Sequence, residues 1–248
     1  MKRIYWLILA LIVIALAIYF NRSYAHIYDT ITMVNLTAPE HETGYALGNV
    51  FKAKDTIYVA LGDSLTAGVG LEQYEDSYPY LVANKLTAQF EGVTLVPLAS
   101  PGARTIDLGT GLLDQAIKAQ PKIVTILIGI NDVHGSVSLG EFSKNYEHLL
   151  NRLTQETSAT IYTISIPYIG DKTLIHWPYS TYFNWRIKQF NQEIKNLATR
   201  YQVQYLDLYT PAFADFQNMS PNYAADHFHP SAVGYTIWAN LIYDHLHQ

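Results

Sequence analysis

Apolar residues fall along this chain in two alternating patterns: short β-branched runs, and longer stretches in which they recur every three or four positions. The short runs at 57–61, 94–98, 123–128, 160–166 and 203–208 predict five strands. Residues 123–128 are apolar apart from Thr125, as in a strand covered on both faces. The stretches at 77–89, 105–119, 139–156, 182–201 and 231–245 predict helices. In the first of them Tyr78, Leu81, Val82 and Leu86 share a face, and in the last Val233, Ile237, Trp238, Leu241 and His245 have helical spacing. Strands that alternate with helices imply one α/β domain, its parallel sheet crossed right-handedly with helices on both faces.

The N-terminus breaks this pattern. Met1-Lys2-Arg3 precedes an uncharged run from Ile4 to Phe20, closed by Asn21-Arg22. As a helix the run spans about 25 Å, the short end of what crosses a bilayer core. It exceeds the usual apolar core of a cleaved signal peptide, and Arg22 disfavours cleavage at Ser23-Tyr24-Ala25. An uncleaved signal anchor at residues 1–22 is the preferred reading, with a cleaved signal as the alternative. Lys2 and Arg3 keep the N-terminus cytoplasmic, so the rest lies outside the cytoplasmic membrane, or is secreted if cleavage occurs. Residues 23–55 show no clear periodicity and read as tether and lead-in, leaving 56–248 as the folded domain.

Composition narrows the function. A net charge of −5 offers no basic footprint, so nucleic acid is not an expected partner. The absence of cysteine excludes disulfides, zinc–thiolate sites and a thiol nucleophile.

The candidate chemistry sits where the strand pattern stops. Ser64 follows the first strand, Gly102 the second and Asn131 the third, while Asp226 and His229 lie just before the last helix. Parallel strands end on one edge, so residues far apart in the chain can converge there. Ester hydrolysis through serine needs a hydroxyl, a base, a carboxylate to orient that base, and donors for the oxyanion. Ser64, His229 and Asp226 can supply the first three. The Ser64 and Gly102 N–H groups and the Asn131 amide can supply the donors, each worth ~10²–10³ in turnover. Each residue also has a plainer reading: Ser64 or Asp226 as a cap, Gly102 or Asn131 as a turn former, His229 as a structural histidine. Asp226, His227 and His229 resemble a metal cluster but lack further ligands at suitable spacing. Asp63 and Asp132 read as local caps and turn braces.

Gly62-Asp63-Ser64-Leu65, Gly102, Gly129-x-Asn131-Asp132 and Asp226-x-x-His229-Pro230, in that order, resemble the blocks of the GDSL-type (SGNH) esterases and lipases. The resemblance covers residue 56 to the C-terminus. It implies a flavodoxin-like three-layer α/β/α sandwich with parallel strand order 2-1-3-4-5. It also implies Ser64 as nucleophile, Asp226 and His229 as the acid–base pair, and Ser64, Gly102 and Asn131 as the oxyanion hole, with no cofactor and no metal. One departure is Ser100-Pro101-Gly102-Ala103, where the family more usually approaches its glycine from an asparagine. Short-chain esters, lysophospholipids and O-acetylated sugars all suit such a site. An acyltransferase using the same acyl-serine, or a non-catalytic carbohydrate- or lipid-binding module, is the alternative. The aromatic loop 168–179 could line a pocket, pack on the surface or touch the membrane.

Overall fold

The alternating blocks fold into one sheet with helices on both sides. The computed structural model describes residues 2–34, 36–49, 51, 56–168, 170–216 and 220–246. The expected end of the lead-in, at 52–55, lies outside the described residues. In chain order the elements are α1 (Lys2–Val34), β1 (Tyr45–Gly48), β2 (Ile57–Gly62), α2 (Ser64–Ala67), α3 (Tyr78–Phe90), β3 (Gly92–Ala99), α4 (Thr105–Leu108) and α5 (Leu112–Lys118). There follow β4 (Ile123–Leu127), α6 (Ile130–His134), α7 (Leu139–Glu156), β5 (Thr160–Ile164), α8 (Tyr179–Tyr201), β6 (Gln204–Leu206), α9 (Tyr209–Phe216) and α10 (Ala232–Leu246).

The sheet order is β1-β3-β2-β4-β5-β6. Strands β2 to β6 run parallel in the expected 2-1-3-4-5 arrangement, counting from β2 as the first. The addition is β1, which pairs antiparallel with β3 on the outer edge. Its four residues are too few to show an alternation inside the lead-in. Strand β4 is buried along its whole length, which is why its sequence carries no polar alternation. Helix α7 shows the opposite pattern. Ser138 caps it by accepting the Glu141 N–H at 3.1 Å, and Phe142, Tyr146, Leu149, Leu150 and Leu153 form its buried stripe. Helix α7 packs on α8 and α3 on α10.

Four expectations are revised. The helix expected over 105–119 is two helices, α4 and α5, because Gly109 and Gly111 interrupt it. The region from the last expected strand to Pro230, which shows no regular pattern in the sequence, holds a helix, α9, and a 3₁₀ turn at Ser220–Asn222. On α10 the buried stripe is Gly234, Tyr235, Trp238, Ala239, Ile242 and Leu246, while Val233 is exposed. The small Gly234 lets that helix approach the Asn222 carbonyl and the Phe216 ring.

The fourth concerns the N-terminus. Helix α1 does not end near Arg22 but runs to Val34, with no Gly or Pro before Pro39 to stop it. It is long and apolar enough to cross a membrane over Lys2–Thr30. Its later turns rest on the domain. Ser23 is buried, Ile27 packs on the core, and His26 Nε2 lies 3.2 Å from the Thr173 carbonyl. The Tyr179 hydroxyl donates to the Phe20 carbonyl at 3.3 Å, and the Tyr19 hydroxyl to that of Trp177 at 2.9 Å.

Candidate active site

The three central strands end level with one another. Gly62, the last residue of β2, sits beside Ala99 of β3 and Leu127 of β4, so the chain leaves all three strands at one edge. A side chain at Gly62 would strike the Thr66 side chain and the Leu127 carbonyl, so glycine is what allows the turn into α2 to fold back this tightly. Asp63 caps that helix by accepting the Leu65 N–H at 3.0 Å, and Ser64 is its first residue. Behind it Thr66 Oγ1 and the Tyr78 hydroxyl are 2.9 Å apart, tying α2 to α3. Ser64 is thus held on a short, fixed helix with 7% of its surface exposed.

The next two loops are joined to this turn and to each other. The Ser100 N–H donates to the Gly62 carbonyl at 3.2 Å, and the Ala103 N–H closes a turn on the Ser100 carbonyl at 3.0 Å. Pro101 and Gly102 occupy the centre of that turn, Gly102 at φ +79°, which favours glycine as in a type II turn. No atom lies within 4 Å of where a Gly102 side chain would begin. Asn131, in the first turn of α6, donates one Nδ2–H to the Ala103 carbonyl at 2.9 Å, which leaves its second N–H for another acceptor. Asp132 accepts from the Thr105 N–H and hydroxyl at 2.9 and 3.0 Å, bracing α4 against α6. Among the described residues the Ser64 and Gly102 N–H groups have no acceptor.

The last loop brings the imidazole. His229 Nε2 lies 3.0 Å from Ser64 Oγ, and Nδ1 lies 2.6 Å from Asp226 Oδ2. The other Asp226 oxygen accepts the Phe228 and His229 N–H groups, each at 3.0 Å. Burial pushes the Asp226 carboxyl up, but the hydrogen bond and charge of His229 and the two N–H groups outweigh it and hold the carboxyl below its ordinary value. An ionised Asp226 only accepts, so Nδ1 carries the proton and Nε2 is free to accept from the Ser64 hydroxyl. Ser64, His229 and Asp226 therefore form one hydrogen-bonded chain, with Gly102 and Asn131 on adjoining loops at the same edge. The arrangement can transfer a proton from serine to histidine and place N–H donors around an oxyanion.

The GDSL-like lipase/acylhydrolase family matches residues 60–237, from within β2 to within α10, and so takes in every loop at this edge. The chain belongs to this family. It is a carboxylic ester hydrolase by that membership. In sequence it is 26% identical over 204 residues to the spore germination lipase LipC of Bacillus licheniformis, across 72% of this chain and 90% of that protein. Two solved structures are similar in fold. The lipase/acylhydrolase of Enterococcus faecalis superposes with a TM-score of 0.60 at 24% identity, covering 77% of this chain and 95% of that one. The acetylxylan esterase Axe2 of Geobacillus stearothermophilus does so with a TM-score of 0.59 at 21% identity, covering 75% and 92%.

Within this GDSL-family site one pairing lay beyond sequence reasoning. His227 does not converge with Asp226 and His229. It adopts a left-handed φ of +56°, and its Nδ1 lies 2.7 Å from Asp171 Oδ2. Asp171 also donates its N–H to the His227 carbonyl at 3.0 Å and accepts from the Thr173 and Leu174 N–H groups at 2.7 and 3.0 Å. Burial pushes this carboxyl up, but the Thr173 hydroxyl, His227 and those N–H groups hold it below its ordinary value. The loop after residue 168 is thereby fastened to the turn that carries Asp226 and His229. Nothing local in the sequence pairs positions 171 and 227, since the link exists only once the chain has folded. The same loop buries Tyr168, Leu174 and Ile175, meets α1 through Trp177, and walls a cavity of about 370 Å³ with α8.

Proposed function

We propose that the chain cleaves carboxylic esters through an acyl-serine formed on Ser64. The observation that carries this is the Ser64–His229–Asp226 chain, with spacings of 3.0 and 2.6 Å. His229 takes the Ser64 proton at Nε2 as Oγ attacks the ester carbonyl. The tetrahedral oxyanion is held by the N–H groups of Ser64 and Gly102 and the free N–H of Asn131. As the intermediate collapses, the C–O bond to the alcohol breaks and His229 returns the proton to the leaving oxygen. Water then attacks the acyl-serine with His229 again as base, releasing the carboxylic acid and restoring Ser64. Asp226 stays ionised throughout and holds the imidazole in the working tautomer.

The uncharged run of α1 from Ile4 to Phe20 supports its role as an uncleaved membrane anchor, with residues 56–248 as the catalytic domain outside the cytoplasmic membrane. Substrates of this site are small esters, lysophospholipids or O-acetylated sugars. The test is covalent labelling by a fluorophosphonate beside hydrolysis of p-nitrophenyl butyrate. Label on wild type, none on Ser64→Ala, and a fall in turnover of about 10⁴-fold or more are expected. Hydrolysis that survives Ser64→Ala would remove Ser64 from the mechanism.

A further inference from the structure

A row of aromatic rings runs from α1 to the imidazole. Tyr24 of α1 meets Tyr179 at the start of α8, with ring centroids 5.8 Å apart. Tyr179 meets Phe183 one turn on, at 6.0 Å, and Phe183 meets His134 at the end of α6, at 4.7 Å. His134 in turn faces Phe228 at 5.4 Å, and Phe228 faces His229 at 5.0 Å. Tyr179, Phe183 and His134 are each partly exposed, while Phe228 and His229 at the site end are buried, so the row is open to the surface as far as His134. His134 lies three residues after Asn131 on α6, so the row reaches the site on the side of that amide. Burial, with a smaller push from the Arg186 guanidinium, brings His134 down to about 4, so its ring is neutral at pH 7.

The far end of the row lies at the end of the apolar run. Tyr24 is one helical turn past Phe20, and Trp177 packs on both Tyr19 and Phe20 at 6.3 and 6.1 Å. Trp177, Tyr182 and Trp185, exposed by 59, 42 and 55%, are the ring types that settle at the headgroup level of a bilayer. An apolar track thus begins where α1 leaves the membrane and ends beside Ser64. An acetyl group would touch only its last ring, whereas a longer chain is needed to reach Phe183.

We propose that this aromatic row binds the acyl chain of a long-chain ester taken from the bilayer that α1 spans, an inference that rests on the Ser64 mechanism and on the anchor role of α1. Each methylene that is fully buried raises kcat/KM about fourfold, so even partial cover along the row favours octanoate over acetate by more than tenfold.

The experiment uses the full chain in phosphatidylcholine nanodiscs, with p-nitrophenyl acetate, butyrate, octanoate and palmitate as substrates. The same discs doped with 1-palmitoyl lysophosphatidylcholine give a second readout, release of palmitate. Wild type is expected to favour octanoate over acetate by more than tenfold, and Phe183→Ser to lower that ratio about tenfold. Phe183→Trp, which keeps an apolar ring but narrows the row, is expected to shift the preference to shorter chains. A wild-type preference for acetate, or an unchanged profile in both Phe183 variants, overturns the proposal. Octanoate preference without palmitate release from the discs overturns the bilayer source. Ser64→Ala run in parallel separates the two readings: activity that survives it defeats the serine mechanism, whereas Ser64-dependent activity with acetate preference defeats only the acyl row.

Discussion

Asp63 is the residue on which the electrostatics of the Ser64 turn can be measured. It is fully buried; Oδ1 accepts the Leu65 N–H, and Oδ2 has no partner among the described residues. Burial pushes its carboxyl from 3.8 up to about 7, against the pull of the Leu65 N–H and with a further push from Asp132. In the unfolded chain the group returns to an ordinary value near 4. Because the folded value is the higher one, the folded state keeps a proton that the unfolded state has lost. The resulting stability is complete below about pH 4 and disappears as pH rises through about 7. About three pK units at 1.36 kcal/mol each amount to roughly 4 kcal/mol, a large part of the ~5–15 kcal/mol that holds a domain folded.

Asp63→Asn keeps the acceptor for Leu65 and removes the titration. The full chain in nanodiscs, melted from pH 4 to 9 and followed by tryptophan fluorescence, reads the difference, since every other titrating group is common to both proteins. At pH 4 the two melting temperatures should lie close together. At pH 9 the variant should melt about 8–16 °C higher than wild type, at ~2–4 °C per kcal/mol for a domain of this size. Melting curves that stay parallel over the whole range would show that Asp63 is ionised at every pH, and would refute the account of a desolvated carboxyl beside Ser64.

Three further predictions concern the residues around Ser64. Asn131→Ala should lower turnover of p-nitrophenyl butyrate by about 10²–10³ with little change in KM; a loss confined to KM would assign Asn131 to substrate binding instead. Asp171→Asn places an amide against His227 and should lower kcat about tenfold at unchanged KM, whereas His227→Asn, which tolerates the left-handed φ, should retain more activity than His227→Val. Equal kcat in wild type and Asp171→Asn would show that the link to the 168–178 loop does not position the Asp226–His229 turn.

What was legible in the sequence was what depends on near neighbours. The apolar runs of β2 and β4 read as strands because both faces are covered, and each residue contributes to the pattern on its own. The residues at the strand ends could be brought to one edge on paper because a parallel sheet fixes where strands stop. Element ends were less legible. Helix α8 begins at Tyr179 and not near 182, and β6 is the short stretch Gln204–Leu206 within the run expected at 203–208. The last helix kept its spacing but turned its stripe by about one residue, because packing at Gly234 is decided by Asn222 and Phe216 and not by its own sequence.

The features hidden from the sequence share one physical cause: each joins segments that are distant in the chain. Strand β1 exists because β3 offers an edge, and the Asp171–His227 bond exists because two loops meet over the sheet. Helix α1 past Arg22 belongs with them. Its polar composition gives no amphipathic signal, and Ser23 and Ile27 are covered only by the folded domain they rest on. The consequence is that the loop after residue 168 touches both α1, through Tyr19, Phe20 and His26, and the Asp226–His229 turn, through Asp171. A substitution on that loop should therefore register both at α1 and at the Ser64 edge of the sheet, and no reading of either segment alone could have placed them on one loop.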